Sequence, residues 1–413
     1  MQLFQKFSFP TLVNFIISFF FLSVLTFKGG HNIAPTMLII CGMGYFIYAK
    51  KQNLKFYLNK QDKYFIFSLF FYFSTFILSL IFNGGKMREL DIPSRAILLI
   101  PALLMLFHIP VKLCALIYAI PLGSFITGII ALIDKFLLNQ PIAFAIRTMH
   151  IQAGDIAMSL AMFSLLIAFY AWQNRNKKIV ILILFCSAFG ILGSVLSTAR
   201  GGWIGVPVIL FAIFILRGEQ ISRRFAMGSA IIFMLIISVL AQTEVVKNRV
   251  QNTQDDIIQY LNHNSNTSLG LRFEMWKSAA LMIEQQPIFG VGEMGANQLR
   301  QLHSQEKIVN GDISGFTHAH NQYLDNFSKR GIINLIAFLF ILLIPLLFFI
   351  KNSKSSQTDI KLLSNIGVIH ILSILFYNLS QGFFTHHSGN IFYLFLTFVL
   401  YGMIRQRQLQ LKN

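Results

Sequence analysis

The sequence predicts an all-α polytopic membrane protein, and three properties of the chain lead to this fold class. Of its 413 residues, 55% are hydrophobic and only 12% are charged, about half the charged fraction of a typical soluble domain. The chain contains 43 Phe and has a positive mean hydropathy of +0.63. Its apolar residues fall into repeated runs that suit a bilayer. Intrinsic disorder is excluded, because disordered chains are poor in aromatic and aliphatic residues.

Each predicted span is an apolar run, since a bilayer core of ~30 Å needs about 20 residues of helix and fewer where the flanking side chains snorkel. The fourth run is the weakest, because it is short and contains Pro101. We predict about twelve transmembrane helices, near residues 11–27, 33–49, 64–82, 95–109, 111–133, 154–172, 179–197, 202–216, 225–241, 331–350, 362–384 and 390–404.

The distribution of basic residues predicts the orientation of these spans. Nineteen Lys and Arg fall in the loops and termini of one side, and seven fall in the short loops of the other. The positive-inside rule therefore predicts that both termini are cytoplasmic. The formal net charge of +18 is explained mostly by this bias. The basic residues form no contiguous patch, so a nucleic-acid partner is not expected.

The predicted organisation is one membrane domain with one large outer loop. Residues 1–241 hold transmembrane helices 1–9, residues 242–330 form a periplasmic loop domain with helices of its own, and residues 331–413 hold helices 10–12 and a cytoplasmic tail. A loop of this length is usually functional. Within it, Leu269–Gln285 has the pattern of a helix, and a second helix is predicted to begin near His318 and to run into the tenth span.

Two arginines stand out on the predicted outer face. Arg200 lies in the hinge S-T-A-R-G-G-W-I-G between spans seven and eight, where a guanidinium is costly unless it faces a cavity or an anion. The alternative for Arg200 is a snorkelling side chain that anchors a tight turn. Arg272 lies in G-L-R-F-E-M-W on the apolar side of the predicted loop helix. The alternative for Arg272 is an ion pair with Glu274 on a solvated face.

Histidines supply the candidate base. In H-A-H-N-Q-Y-L-D, His320 is predicted to share a helix face with Tyr323 and Leu324 and to point inward, while Asp325 lies off that face. An imidazole is the natural general base near neutral pH, and a satisfied structural histidine is the alternative. His318 and His320 also form an HxH pair, but no further ligand set at a recognisable spacing accompanies them, so no metal is expected.

A second histidine pair, His386-His387, follows in the last outer loop. Adjacent side chains point in different directions, so at most one of the two is expected to contribute to a site.

Two guanidiniums and one imidazole together indicate a chemistry. Each guanidinium binds phosphate oxygens bidentately and keeps its charge, which suits a pyrophosphate. A base beside them deprotonates an incoming hydroxyl while the lipid diphosphate departs. Such a site transfers a sugar from a lipid-diphosphate donor.

Four motifs in this order, S-T-A-R-G-G-W, G-L-R-F-E-M-W, P-I-F-G-V-G-E-M-G and H-A-H-N-Q-Y-L-D, resemble the O-antigen ligase and polymerase superfamily over about residues 190–335. The resemblance implies a glycosyltransferase C-type (GT-C) helical fold at the periplasmic face of the bacterial inner membrane. It implies transfer of a glycan en bloc from undecaprenyl diphosphate to a lipid A-core sugar, with inversion and without metal or cofactor.

The resemblance also assigns roles by motif. Arg200 and Arg272 resemble the diphosphate-binding arginines, and His320, the histidine directly before Asn, resembles the catalytic base. Supporting roles are expected for His318, Asn321, Trp203 and Trp276.

Alternatives remain within and outside this superfamily. An O-antigen polymerase or a protein O-oligosaccharyltransferase uses the same donor chemistry. The ligase is favoured because one long loop carries both Arg272 and His320, and because the chain length leaves no room for an appended soluble domain. A lipid-linked glycan transporter needs charged residues deep in spans that are here almost charge-free. A metal-dependent C-type enzyme would use Glu89-Leu90-Asp91, a spacing that is common by chance. A purely structural protein gives no reason for the outer arginines.

Overall fold

The computed structural model of the protein describes residues 8–173, 176–199, 201–217 and 244–411. All regular structure in these ranges is helical, which confirms the predicted fold class. The helices are α1 (Phe9–Ser23), α2 (Gly30–Lys51), α3 (Lys60–Asn83), α4 (Asp91–Leu98), α5 (Ile100–His108), α6 (Cys114–Ile117), α7 (Ala119–Leu132), α8 (His150–Gln173), α9 (Lys177–Leu196), α10 (Gly201–Ile204), α11 (Val206–Arg217), α12 (Glu244–Leu261), α13 (Ser268–Gln285), α14 (Gly292–Gln305), α15 (Gln322–Asn352), α16 (Thr358–Ser380) and α17 (His387–Gln410).

The described ranges contain nine helical segments that are long and apolar enough to cross a bilayer, and two shorter apolar helices, α1 and α11. Every predicted span in these ranges coincides with helix, while the ninth, residues 225–241, lies outside the described residues. The weak fourth span is built from two helices, α4 and α5, and Pro101 occupies the first turn of α5. Proline is tolerated there, because the first amides of a helix have no intrahelical partner.

The last helix, α17, forms the centre of the bundle. Every residue from Ser388 to Gln406 is buried, as expected for a helix that is surrounded by others. The Phe20 ring of α1 stacks on Phe395 with centroids 4.0 Å apart. At the far end, Arg405 forms a buried ion pair with Asp62 of α3 at 2.8 Å. The outer helices expose some of their large apolar side chains, such as Phe67 of α3 and Ile181 of α9, as expected for surfaces that face lipid.

The predicted loop folds as three helices, α12, α13 and α14, and the last two pack against α15 at one end of the bundle. The helix predicted at Leu269–Gln285 is confirmed as Ser268–Gln285. Thr267 caps it, because its hydroxyl accepts a hydrogen bond from Gly270 N at 3.0 Å.

The glycine-rich turn P-I-F-G-V-G joins this loop to α15 through the backbone. Gly331 breaks the helical geometry of α15 with φ of 70°, and Ile332 N there donates to Pro287 O at 2.9 Å. Val291 N donates to Ser328 O at 3.0 Å on the other side of the kink. The first turns of α15, which follow the histidine motif, are therefore fixed against the loop.

A β-carbon at Gly331 would overlap the carbonyl oxygen of Ile288, whereas one at Gly84, with a similar φ of 67°, would meet nothing within 4 Å. We expect Gly84→Ala to cost only backbone strain of roughly 1–3 kcal/mol, because a positive φ with ψ near 180° is adopted almost only by glycine. Gly331→Ala adds a steric term of about 1–3 kcal/mol and should lower the melting temperature clearly more. Thermal unfolding of both purified variants measures this difference, and equal melting temperatures would show that the kink is not tightly packed.

Candidate active site

The segment that carries the two motif histidines is not helical, which corrects the prediction of a helix from His318. His320 has a left-handed φ of 49°, and α15 begins only at Gln322. Asn321 is the N-cap of α15: its side-chain oxygen accepts hydrogen bonds from Tyr323 N at 3.0 Å and Leu324 N at 3.1 Å. Asn is among the best N-cap residues, and the helix therefore starts at Gln322, directly after Asn321.

The His320 imidazole is oriented by Gln381, a fully buried residue that directly follows α16. Nδ1 of His320 lies 2.5 Å from Oε1 of Gln381. In the tautomer that satisfies this contact, Nδ1 donates to Oε1 of Gln381 and Nε2 carries the lone pair. No described residue forms a hydrogen bond with Nε2. The tautomer is thus the one that a general base needs, with its free nitrogen turned away from Gln381.

Four hydrogen bonds hold the backbone just before His320. The Thr317 carbonyl accepts from Lys329 Nζ at 2.8 Å and from the Arg300 guanidinium at 3.1 Å. Ala319 N donates to Asp325 Oδ1 at 3.1 Å, and Ala319 O accepts from Trp276 Nε1 at 2.9 Å. A left-handed residue other than glycine costs about 1–3 kcal/mol and persists only where its surroundings fix it. These contacts fix it.

Asp325 contributes to the contacts that hold the histidine segment. It is 1% exposed and pairs with Lys329 at 2.9 Å. Lys329 also pairs with Glu293 at 2.8 Å, and Arg330 pairs with Glu293 at 3.1 Å. Although burial opposes it, the charges of Lys329 and Arg330 hold the pKa of Glu293 at about 2. Glu293 is therefore charged at neutral pH, and these ion pairs join α14, α15 and the histidine segment.

Arg272 lies on α13, one helical turn before Trp276. Its side chain is partly buried, and burial lowers the pKa of its guanidinium. The alternative ion pair with Glu274 is absent: Glu274 is fully buried and accepts from Ser265 Oγ at 3.0 Å and Asn310 N at 3.1 Å. Arg272 has no acidic partner in the part of the chain that the structure describes. The Arg272 guanidinium is thus a half-buried cation that no acidic side chain among the described residues neutralises.

The electrostatics of His320 follow from this arrangement. Burial and then the positive charge of Arg272 lower the pKa of the His320 imidazole, while the hydrogen bond to Gln381 and the charge of Asp325 act in the opposite direction. The net pKa lies below the usual value, so His320 is neutral at pH 7 and able to accept a proton. The His318 ring lies 4.4 Å from it between centroids, and burial lowers the pKa of His318 to about 4.

Arg200 lies outside the described residues, but its neighbours along the chain are placed. A β-carbon on Gly201 would overlap the hydroxyl of Ser380, the residue before Gln381. Trp203 donates from Nε1 to Ser194 Oγ at 3.1 Å, which ties α10 to the end of α9. Gly201 therefore lies against the helix end that also orients His320.

The side chains of the second histidine pair, His386 and His387, point in different directions, as predicted. The His386 ring lies 5.6 Å from that of His318, whereas His387 is exposed and contacts Arg95.

The described ranges contain no group of three His, Cys, Asp or Glu side chains that could hold a metal ion. Of the acidic pair considered for metal binding, Glu89 accepts from Lys86 N at 3.0 Å and Asp91 is exposed.

Sequence reasoning missed the residues that position the base, namely Gln381, Arg300 and Lys329. Gln381 was placed inside an apolar span predicted to extend to residue 384, although α16 ends at Ser380. The polar run N-L-S-Q-G at that point was the signal that the membrane-spanning part had ended.

Taken together, the fold and site define a multi-pass helical membrane protein with a neutral imidazole and a guanidinium that has no acidic partner among the described residues. Residues 185–339 match the O-antigen ligase family. The chain is 40% identical over 384 residues to an uncharacterised protein of Haemophilus influenzae, covering 92% of this chain and 95% of that protein. It is 23% identical over 223 residues to an O-antigen ligase of Escherichia coli K12, covering 53% of this chain and 52% of that protein. The chain belongs to the O-antigen ligase superfamily, whose members are glycosyltransferase-like enzymes.

Proposed function

We propose that this protein is an O-antigen ligase that transfers a glycan en bloc from undecaprenyl diphosphate to a lipid A-core sugar. The site faces the periplasm, both termini are cytoplasmic, and the loop of residues 242–330 completes a GT-C-type membrane domain made of residues 1–241 and 331–413. The observation that carries the proposal is the orientation of His320. Its Nδ1 contacts Oε1 of Gln381, its Nε2 has no hydrogen-bond partner among the described residues, and the charge of Arg272 lowers its pKa.

The reaction then follows from these groups. The acceptor hydroxyl oxygen attacks the anomeric carbon, and the bond from that carbon to the diphosphate oxygen breaks on the opposite face, with inversion. The hydroxyl proton passes to Nε2 of His320. Undecaprenyl diphosphate leaves with the electron pair of the broken bond, and its charge is bound by Arg272 and Arg200.

Two features support the assignment of the arginines to the leaving group. Arg272 is partly buried and has no acidic partner among the described residues, so an incoming anion offsets the cost of burying its charge. Arg200 is assigned by its motif, and Gly201 beside it packs against Ser380, next to the residue that orients His320.

The proposal is tested with purified protein in lipid nanodiscs, an undecaprenyl-diphosphate-linked glycan and lipid A-core, with and without a chelator. We expect glycan-bearing lipid A-core in both cases. Glycan that instead lengthens on the undecaprenyl carrier would identify a polymerase, and glycan found only on an added acceptor protein would identify a protein-modifying enzyme. Loss of transfer with the chelator would show that a metal takes part.

The pH dependence of transfer gives a prediction of its own. Because the pKa of His320 lies below its usual value of about 6.5, we expect kcat to be constant above about pH 6.5 and to fall at lower pH, as the base becomes protonated. The charged groups that shift the pKa of His320 are Arg272 and Asp325, and His320 in turn lowers the pKa values of His318 and His386. Rates at saturating donor measure the profile, and an acid limb centred above pH 7 would contradict a base with a lowered pKa.

A further inference from the structure

A cavity of about 250 Å³ lies on the side of His318 that faces α3. Its walls come from α3, the 3₁₀ turn Met87–Leu90, α4, the first turns of α15, and residues 384–386. We call it the side cavity. Its volume falls just below the ~300–1,000 Å³ of pockets for drug-sized ligands. One sugar ring fits such a space, and a longer oligosaccharide does not.

Several buried polar atoms in the wall of the side cavity have no hydrogen-bond partner among the described residues. Asn326 is 1% exposed, and its Nδ2 has no partner, although its Oδ1 accepts from Gln322 at 2.9 Å. Nε2 of His318 and Nε2 of His386 are also buried and unpartnered. Leaving such an atom unpaired costs about 1–3 kcal/mol. Three of them in one wall indicate a ligand that supplies hydroxyl groups.

The two buried cations in this wall, Lys329 and Arg330, are already neutralised, which argues against a second diphosphate site. Lys329 is bound by Glu293, Asp325 and the Thr317 carbonyl. Arg330 pairs with Glu293 and stacks on the Phe76 ring, with its guanidinium carbon 4.2 Å from the ring centroid. Burial lowers the pKa values of His318 and His386 to about 4, so both rings are neutral. The buried charges of the lining are thus paired with one another, its histidines are neutral, and aromatic surface lies nearby.

The side cavity lies close to His320. The His318 ring borders the side cavity and lies 4.4 Å from the His320 ring. Arg272 and Trp276 belong to α13, and Trp276 contacts the same segment at Ala319 O. A ligand in the side cavity therefore lies one imidazole ring away from His320.

We propose that the side cavity binds the acceptor sugar ring, with Asn326, His318 and His386 hydrogen-bonded to its hydroxyl groups. The ring's C–H faces pack against Phe384 and Tyr72. Arg88 is exposed at the edge of the cavity and has no acidic partner among the residues described, so it pairs with a phosphate or carboxylate substituent beyond the ring. This assignment rests on the proposed function and adds the location of the acceptor to it.

The test narrows the side cavity from the wall away from His320. Ile92 lines the cavity, and Ile92→Trp should raise the KM for lipid A-core by about tenfold or more, with the KM for the undecaprenyl-diphosphate donor within about twofold of wild type. The matched control is Met87→Trp, since Met87 is 78% exposed on the neighbouring turn, and neither KM should change. Asn326→Leu removes the unpartnered amide at similar volume and should raise the KM for lipid A-core about threefold to tenfold.

The outcomes separate the two claims. A wild-type protein that does not transfer glycan to lipid A-core contradicts the proposed function and this inference with it. A wild-type protein that transfers normally, while Ile92→Trp and Asn326→Leu leave the KM for lipid A-core unchanged, contradicts the inference alone. Parallel increases in both KM values also overturn it, because they indicate a general loss of structure and not a blocked acceptor site.

Discussion

Replacement of His320 is expected to reduce glycan transfer by about 10²–10⁴-fold, the usual contribution of a positioned general base. The loss should appear in kcat, because the imidazole acts on the hydroxyl proton in the transition state and Arg272 still binds the donor. His320→Asn is the sharper variant, since Asn tolerates the left-handed φ of 49° better than most residues do. It keeps the local backbone and lacks a nitrogen that accepts a proton. Single-turnover transfer to lipid A-core measures the effect.

Two other histidines provide the controls for His320. His387 is exposed and contacts Arg95, away from His318 and His320, so the His387→Ala variant should transfer glycan at the wild-type rate. His318 borders the side cavity, so His318→Ala should be impaired less than His320→Asn and mainly in the KM for the acceptor. A His320→Asn protein that folds and transfers within about threefold of wild type would remove His320 from the role of base.

The helical layout could be predicted from the sequence because the bilayer imposes a length on each apolar run. The packing order could not. The central helix α17 carries Asn390 and Thr397 and is less apolar than the peripheral helix α9, which exposes Ile181 and Phe185. Where the surrounding solvent is lipid, apolar residues on the outside cost nothing, so hydrophobicity does not report which helix is central.

The candidate site could be predicted only as far as its chemistry is local. His320 and Arg272 stand out by residue type and motif, but the frame that orients them comes from distant parts of the chain. Gln381 lies 61 positions after His320, and Trp276 contacts the backbone 43 positions away. The left-handed conformation of His320 was also missed, because helical periodicity was extended back through Asn321, although an N-cap residue ends such a pattern.

Replacement of Arg272 is expected to weaken donor-dependent transfer by about 10²–10³-fold for Arg272→Ala, as for the loss of one donor to a developing anion. Arg272→Lys should recover only part of this loss, because an ammonium lacks the planar fork that binds two phosphate oxygens. Lys277 on the same helix donates to Ile308 O at 2.8 Å, so Lys277→Ala is the matched loss of a cation away from His320 and should leave the rate unchanged.

The pH profile separates an electrostatic role of Arg272 from a merely structural one. The charge of Arg272 lowers the pKa of His320, so its removal in Arg272→Ala should raise that pKa and move the acid limb of kcat to higher pH. Arg272→Lys keeps the charge and should leave the limb close to its wild-type position, although its rate is lower. If both variants lost activity with the same unshifted acid limb, Arg272 would not lie close enough to His320 to act on the same reaction centre, and the two groups would have to be assigned to separate sites.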